Sequence, residues 1–117
     1  MSAQCVVVAD SAHARIMVAA CNGNPRLMLR SEVANRDRSV QADAPLATRY
    51  AADVARAVAS TVQDWEGGSI VLAASPAVLG LLRQLVQDAL PRGLELRALA
   101  RDYTTLSTAE IEQRLQL

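Results

Sequence analysis

Two short segments of this chain carry almost no polar side chain. Cys5-Val6-Val7-Val8-Ala9 is wholly apolar, and Ser69-Ile70-Val71-Leu72-Ala73-Ala74 is apolar after its first residue. A strand with one wet face alternates apolar and polar residues, whereas a continuous run rich in β-branched residues marks a strand covered on both faces. Both segments therefore belong in the middle of a sheet, and the rest of the chain has to supply layers above and below it.

The polar tetrad Asp10-Ser11-Ala12-His13 is a turn, after which Ala14 to Ala20, interrupted by Arg15, forms a second strand in a hairpin. Cys21-Asn22-Gly23-Asn24-Pro25 is the next turn, since Asn-Gly accepts positive φ and proline cannot donate to a ladder. In Arg26 to Ala34 the residues Leu27, Leu29 and Val33 alternate with Arg26, Met28 and Arg30, which predicts a strand with one wetter face, nearer an edge. Asn35 to Pro45 has no sustained period and reads as a loop.

The period then changes to that of a helix. Ala51, Val54, Ala55, Val58, Val62 and Trp65 share one face, opposite Arg49, Asp53, Arg56 and Gln63. The pattern gives a helix of about four turns, stopped by Gly67-Gly68. Ser75-Pro76 has the form of a helix start, with the Ser75 hydroxyl capping first-turn amides. Val78, Leu79, Leu82, Leu85, Val86 and Ala89 line the helix that follows, until Pro91-Arg92-Gly93 breaks it. Leu94 to Ala100 is a last strand. Ser107-Thr108-Ala109-Glu110 is a capping box, with Leu106 placed to staple onto Ile111, and the final helix runs through Leu115.

The element order is thus β-β-β-α-β-α-β-α. Right-handed crossovers and the two central apolar strands favour sheet order 3-2-1-4-5 with only the second strand antiparallel, an α/β arrangement of ribonuclease-H-like type. At 117 residues and 51% hydrophobic the chain suits one domain over 1–117. Several unrelated activities use such a sheet, so the architecture does not choose a function.

Charge narrows the classes. Twelve arginines balance twelve acidic residues, so no long-range field draws the protein onto a phosphate backbone, and general nucleic-acid coating is excluded. No run approaches the roughly 18 apolar residues of a membrane span. Met1-Ser2-Ala3-Gln4 carries no basic signal region, so the expectation is a soluble, cytoplasmic protein. Cys5 and Cys21 are too few for a disulfide framework or a tetrahedral zinc site and read as reduced structural thiols. There is no GxGxxG and no P-loop, and no cofactor is expected.

Ligands of such sheets bind beyond the carboxyl ends of the parallel strands, here the first, fourth and fifth. Asp10, Ser11, His13, Ser75, Asp102 and Thr104 gather on that rim, with the amino end of the Pro76 helix open to an anion. The plainer alternative is that Ser75 caps its helix, Asp10 and Asp102 satisfy turn amides, and His13 is solvated. A two-metal nuclease needs several converging carboxylates; Asp10 qualifies, but Ala73-Ala74-Ser75 offers none. A hydrolase needs a nucleophile beside the histidine, and neither Cys5, inside a strand, nor Ser11 sits on a strained elbow. Arg30, Arg36, Arg38, Arg49 and Arg56 make a local basic strip diluted by Glu32, Asp37 and Asp53. Trp65, Tyr50 and Tyr103 are too scattered to interleave as base-stacking platforms.

Three blocks, Cys5-Val6-Val7-Val8-Ala9-Asp10-Ser11-Ala12-His13-Ala14-Arg15-Ile16, Ile70 to Arg83, and Asp102-Tyr103-Thr104-Thr105-Leu106-Ser107 with Glu110-Ile111, occur in the order and spacing of a known family. The chain resembles the bacterial host attachment proteins, which in turn look like relatives of the central domain of archaeal and eukaryotic class-1 peptide release factors. The resemblance spans nearly the whole chain and implies the same mixed-sheet fold. It also implies a place, between the third strand and the first helix, where release factors carry a Gly-Gly-Gln loop that promotes peptidyl-tRNA hydrolysis. Here that connection, Asn35 to Leu46, has no Gly and one isolated Gln41, and Gly67-Gly68-Ser69 lies elsewhere. Within the second block, Leu79-Gly80 is expected to let its helix approach the sheet and Arg83 to tie it down by a charge-assisted bond.

The resulting expectation is a non-enzymatic, macromolecule-binding domain with no catalytic residues and no metal. Its hypothetical binding rim comprises Asp10, Ser11, His13, Arg15, Ser75, Arg83, Asp102 and Thr104. Its partner is a host-interaction protein or the ribosome and its RNA, and a homodimer is among its expected states. The alternatives are a ribosome- or RNA-associated module and a metal-dependent nuclease.

Overall fold

In the computed structural model, residues 3–10, 12–19, 27–34, 44–65, 67–91 and 93–115 are described. Five strands, β1 (Ala3–Ala9), β2 (His13–Ala19), β3 (Leu27–Ala34), β4 (Gly68–Ala74) and β5 (Leu94–Leu99), form one sheet in the order β3-β2-β1-β4-β5. β2 runs antiparallel to both of its neighbours, whereas β1, β4 and β5 are parallel. Three helices complete the chain: α1 (Ala44–Val62), α2 (Pro76–Ala89) and α3 (Thr108–Leu115). This is the ribonuclease-H-like arrangement expected from the sequence, with the same strand order and the same single antiparallel strand.

Alternate residues of the central strands feed two separate layers. On one face Cys5, Val7 and Ala9, with Ile16, Ile70 and Leu72, pack under Val54 and Val58 of α1 and Leu82 and Val86 of α2. On the other, Val6, Val8, Met17 and Val71 pack under Ile111 of α3, with Leu99, Tyr103, Leu106 and Leu115 closing the layer. Cys5 through Ala9 are all fully buried, as expected of a doubly covered strand. Burying each large apolar side chain contributes about 1.5–3 kcal/mol relative to leaving it in water. Cys5 is a buried free thiol, and desolvation pushes its pKa up to about 12, which leaves it protonated and inert. Cys21 lies outside the described residues.

β3 departs from the simple alternation. Ile16 pairs with Ser31 but Met17 pairs with Leu29, so Arg30 is an extra residue in a bulge. The bulge reverses side-chain parity within the strand. Leu27 joins the layer under α3, whereas Val33 joins the layer under α1 and α2. The expected apolar stripe Leu27, Leu29, Val33 does not exist, and Leu29 is 51% exposed.

Helix boundaries are corrected as well. α1 begins at Ala44, inside the segment expected to be a loop, and spans 19 residues. Proline near a helix start is tolerated because the first four amides have no intrahelical partner, so Pro45 does not delay it. The same helix ends at Val62, with the Trp65 amide on the Val62 carbonyl at 3.0 Å, five residues before the glycines expected to stop it. Gly68 instead opens β4 with a φ of 138°, a conformation that side chains with a Cβ rarely adopt. Gly80 is exposed, and a Cβ there would meet nothing within 4 Å, so it is not a close-approach point between α2 and the sheet.

Candidate functional site

Because β1, β4 and β5 are parallel, their carboxyl ends at Ala9, Ala74 and Leu99 share one rim. Asp10, Ser75 and the segment from Ala100 to Leu106 follow directly from those strand ends. Ser11 lies outside the described residues, as do Arg36 and Arg38 of the expected basic strip.

Asp10 is built into the β1–β2 turn. Its Oδ1 accepts the amides of Ala12 at 2.7 Å and His13 at 2.8 Å, an Asx-type arrangement that closes the turn. Its own amide donates to the His13 carbonyl at 2.9 Å, and the Tyr50 hydroxyl of α1 donates to the Asp10 carbonyl at 2.9 Å. Burial, then the nearby Asp10 charge, raises the Tyr50 pKa, so the phenol stays a donor. His13 is half-exposed, with Nδ1 3.5 Å from Asp10 Oδ1.

Asp102 is held in a second local turn. Its Oδ1 accepts the Thr104 hydroxyl and, at 3.0 Å, the Thr104 amide. The hydroxyl bond first, and then the amide bond, hold the Asp102 carboxyl below the usual carboxylate range; burial opposes them and the charge of His13 adds to them. Asp10 with His13, and Asp102 with Thr104, thus form two separate local turns at the carboxyl ends of β1 and β5.

Arg15 fixes this loop. It points from β2 to the α3 side of the sheet, where Nη2 donates to the carbonyls of Leu106 at 2.8 Å, Thr104 at 3.2 Å and Tyr103 at 3.3 Å. Its Nε is buried with no protein acceptor. Arg15 is therefore a strap beneath the rim rather than a group on its surface.

Ser75 and Arg83 do not behave as expected. Ser75 occupies the N-cap of α2, but its side chain makes no capping bond, so the pattern Ser-Pro positions the helix without satisfying its amides. Arg83 is exposed on α2 and has no hydrogen bond or ion pair among the described residues, so it does not tie the helix down. By contrast the Ser107 capping box forms as expected: the Glu110 amide donates to Ser107 Oγ at 3.2 Å and the Ser107 amide to Glu110 Oε1 at 3.1 Å.

Beside the rim, Ala100, Arg101, Asp102, Tyr103 and Arg114 line an open depression of about 650 Å³. Sequence reasoning placed the segment Arg101 to Thr104 at this strand end but missed Tyr50 and Arg114 as parts of the region. Tyr50 stands one residue before Ala51 on the apolar face of α1, a signal that could have marked it as inward-facing. Nothing in the local sequence brings Arg101 and Arg114 together.

A family model described as "protein required for attachment to host cells" matches residues 35–115. The chain belongs to that family. The match includes two of the three blocks that carry the resemblance, from Ile70 and from Asp102, while the block from Cys5 to Ile16 lies before it. No curated protein matches the chain in sequence. Among solved structures this family member is similar to Thermus thermophilus RuvC in complex with a Holliday junction substrate, at 12% identity and a TM-score of 0.58 over 100% of this chain and 80% of RuvC. A second structure of the same RuvC matches at 14% identity and a TM-score of 0.49, over 80% of this chain and 61% of that one. The Aquifex aeolicus PPX-GPPA enzyme matches at 9% identity and a TM-score of 0.50, over 83% of this chain and 36% of the enzyme. This family member thus spans about a third of the length of PPX-GPPA.

These identities show the fold alone, but they correct one expectation. The sequence led to a domain with no enzymatic role, whereas the solved proteins that share its fold include an enzyme and a protein bound to its substrate. The physical reason is the rim itself: parallel strand ends give this sheet a ready place for ligands whatever its side chains. The fold is no ground for setting catalysis aside. No helix among the described residues is long and apolar enough to cross a membrane.

Proposed function

We propose that this member of the host attachment family acts by binding a macromolecule at the strand-end rim, through His13, Asp102 and Thr104, with Asp10 shaping the turn that presents His13. One observation carries the reading. Arg15 holds three carbonyls of the rim loop, those of Tyr103, Thr104 and Leu106, so the backbone beyond β5 is held in a fixed arrangement. A preordered surface avoids the entropy cost of freezing a mobile loop on binding.

The absence of glycine from Asn35 to Leu46 argues against peptidyl-tRNA hydrolysis as the activity, even if the resemblance to release factors reflects descent. Attachment is tested by measuring adhesion of the labelled chain to host cells, with wild type against the double variant His13→Ala, Asp102→Ala. The reading expects adhesion by wild type and its loss in the double variant at an unchanged circular dichroism spectrum. Equal adhesion by both would move the contact off the rim. Binding to RNA that weakens steeply with salt would favour the RNA-associated module instead, because phosphate contacts release counterions.

A further inference from the structure

We propose that the depression lined by Ala100, Arg101, Asp102, Tyr103 and Arg114 binds a small phosphate monoester that also carries a hydroxyl group. This goes beyond the proposed macromolecular contact and does not depend on it.

The charge balance of the depression is the first argument. Two guanidinium groups, Arg101 from the segment after β5 and Arg114 from the last turn of α3, line one concavity, and neither forms an ion pair within 4 Å among the described residues. The acids nearby keep their charge but spend hydrogen-bonding capacity on neutral donors of their own turns. Asp102 accepts both the hydroxyl and the amide of Thr104, and Glu110, one turn before Arg114 on α3, reaches back to the Ser107 amide. Two guanidinium charges therefore face the one ionised carboxylate of Asp102 in the lining, an excess of one positive charge there, while the Glu110 charge acts on Arg114 from the preceding turn. Guanidinium forks match phosphate oxygens bidentately, which an isolated ammonium cannot do.

Rigidity is the second argument. The carbonyls of Tyr103, Thr104 and Leu106 are turned inward onto Arg15, so the loop wall is anchored from below. The capping box and Ile111, which is fully buried, anchor the opposite wall on α3. Both arginines thus project from fixed backbone.

The remaining lining sets the ligand class. The depression is open and about 650 Å³, within the roughly 300–1,000 Å³ usual for small-molecule sites. The lining is mostly polar, with Ala100 and Tyr103 adding only a small apolar area beside the charged groups. Asp102 would repel a bare phosphate placed beside it but accepts a hydroxyl proton, which favours a sugar phosphate or nucleoside monophosphate over inorganic phosphate.

The test is titration of the full chain, followed by amide NMR and calorimetry, with inorganic phosphate, ribose 5-phosphate and adenosine monophosphate as separate arms. The expected result is saturable shifts at Ala100 to Tyr103 and at Arg114, with both esters binding more tightly than inorganic phosphate. If only adenosine monophosphate binds, the base is recognised on Tyr103; if both esters bind alike, the sugar phosphate suffices. Arg101→Ala with Arg114→Ala should weaken ester binding by about tenfold or more, whereas Arg56→Ala, on the far side of α1, should leave it unchanged. Asp102→Asn should narrow the gap between the esters and inorganic phosphate. Shifts confined to other residues, no saturation by about 10 mM ester, or equal affinity in the folded double variant would each overturn the proposal.

Discussion

Arg15 Nη2 lies 2.8 Å from the carbonyl oxygen of Leu106, 91 residues further along the chain. The contact joins the β-hairpin to the segment that leads into α3, and it sits beneath the rim rather than on it. Bonds from a charged donor to part-buried carbonyls are among the stronger ones, and removing the donor leaves those carbonyls to find water. Arg15→Ala is expected to destabilise the fold by about 2 kcal/mol in urea denaturation. Hydrogen exchange should also quicken between Asp102 and Leu106 relative to α2.

The two serine caps should respond oppositely to the same substitution. Ser107→Ala removes a capping bond that exists and is expected to cost about 1 kcal/mol. Ser75→Ala removes a hydroxyl that caps nothing and should change stability by less than about 0.5 kcal/mol. Thermal unfolding of the two variants side by side checks the contrast; equal losses would mean that Ser75 does cap α2 in solution.

Tyr50 links α1 to the β1–β2 turn through a single oxygen. Tyr50→Phe keeps the ring in the core and deletes only the bond to the Asp10 carbonyl, with an expected loss of about 1 kcal/mol in urea denaturation. An unchanged midpoint would show that water replaces the hydroxyl without cost.

The unequal burial of the two leucines of β3 can be tested by polarity. Leu29→Ser should be nearly neutral because the side chain is half in water, whereas Leu27→Ser places a hydroxyl in the layer under α3 and should cost at least about 2 kcal/mol. Urea denaturation of the two variants checks the contrast; equal losses would mean that Leu29 is as buried as Leu27.

Two carboxylates should shape the acid limb of stability. Asp102 and Glu110 are both held below their ordinary pKa in the folded chain, chiefly by bonds from Thr104 and Ser107 respectively. A depressed folded pKa means that the stabilisation is present above the unfolded value, near 4 for such acids, and is lost as pH falls through the folded one. Stability is expected to decline below about pH 4, and the decline should be shallower in Asp102→Asn with Glu110→Gln. A pH series of denaturation midpoints reads this directly.

Much of the architecture was legible because burial on both faces leaves a local signature. A strand such as Val6-Val7-Val8 has no polar side chain to offer solvent, so its place in the sheet's centre follows from composition alone, and the strand order follows from chain handedness. The capping box was equally local, since four adjacent residues contain both donors and both acceptors. Ser75 looked the same by type, yet a capping bond depends on side-chain rotation and not only on residue identity.

The sequence by itself determined the element order, the strand order and the apolar faces of all but β3, because local periodicity and chain handedness carry them. Tertiary structure decided where Arg30 interrupts β3, that Arg15 is a strap and not a surface group, and that Arg101 meets Arg114 across one depression. Those outcomes depend on which groups remain unsatisfied once the sheet and α3 have closed on one another. Partners separated by tens of residues leave no mark in any local pattern.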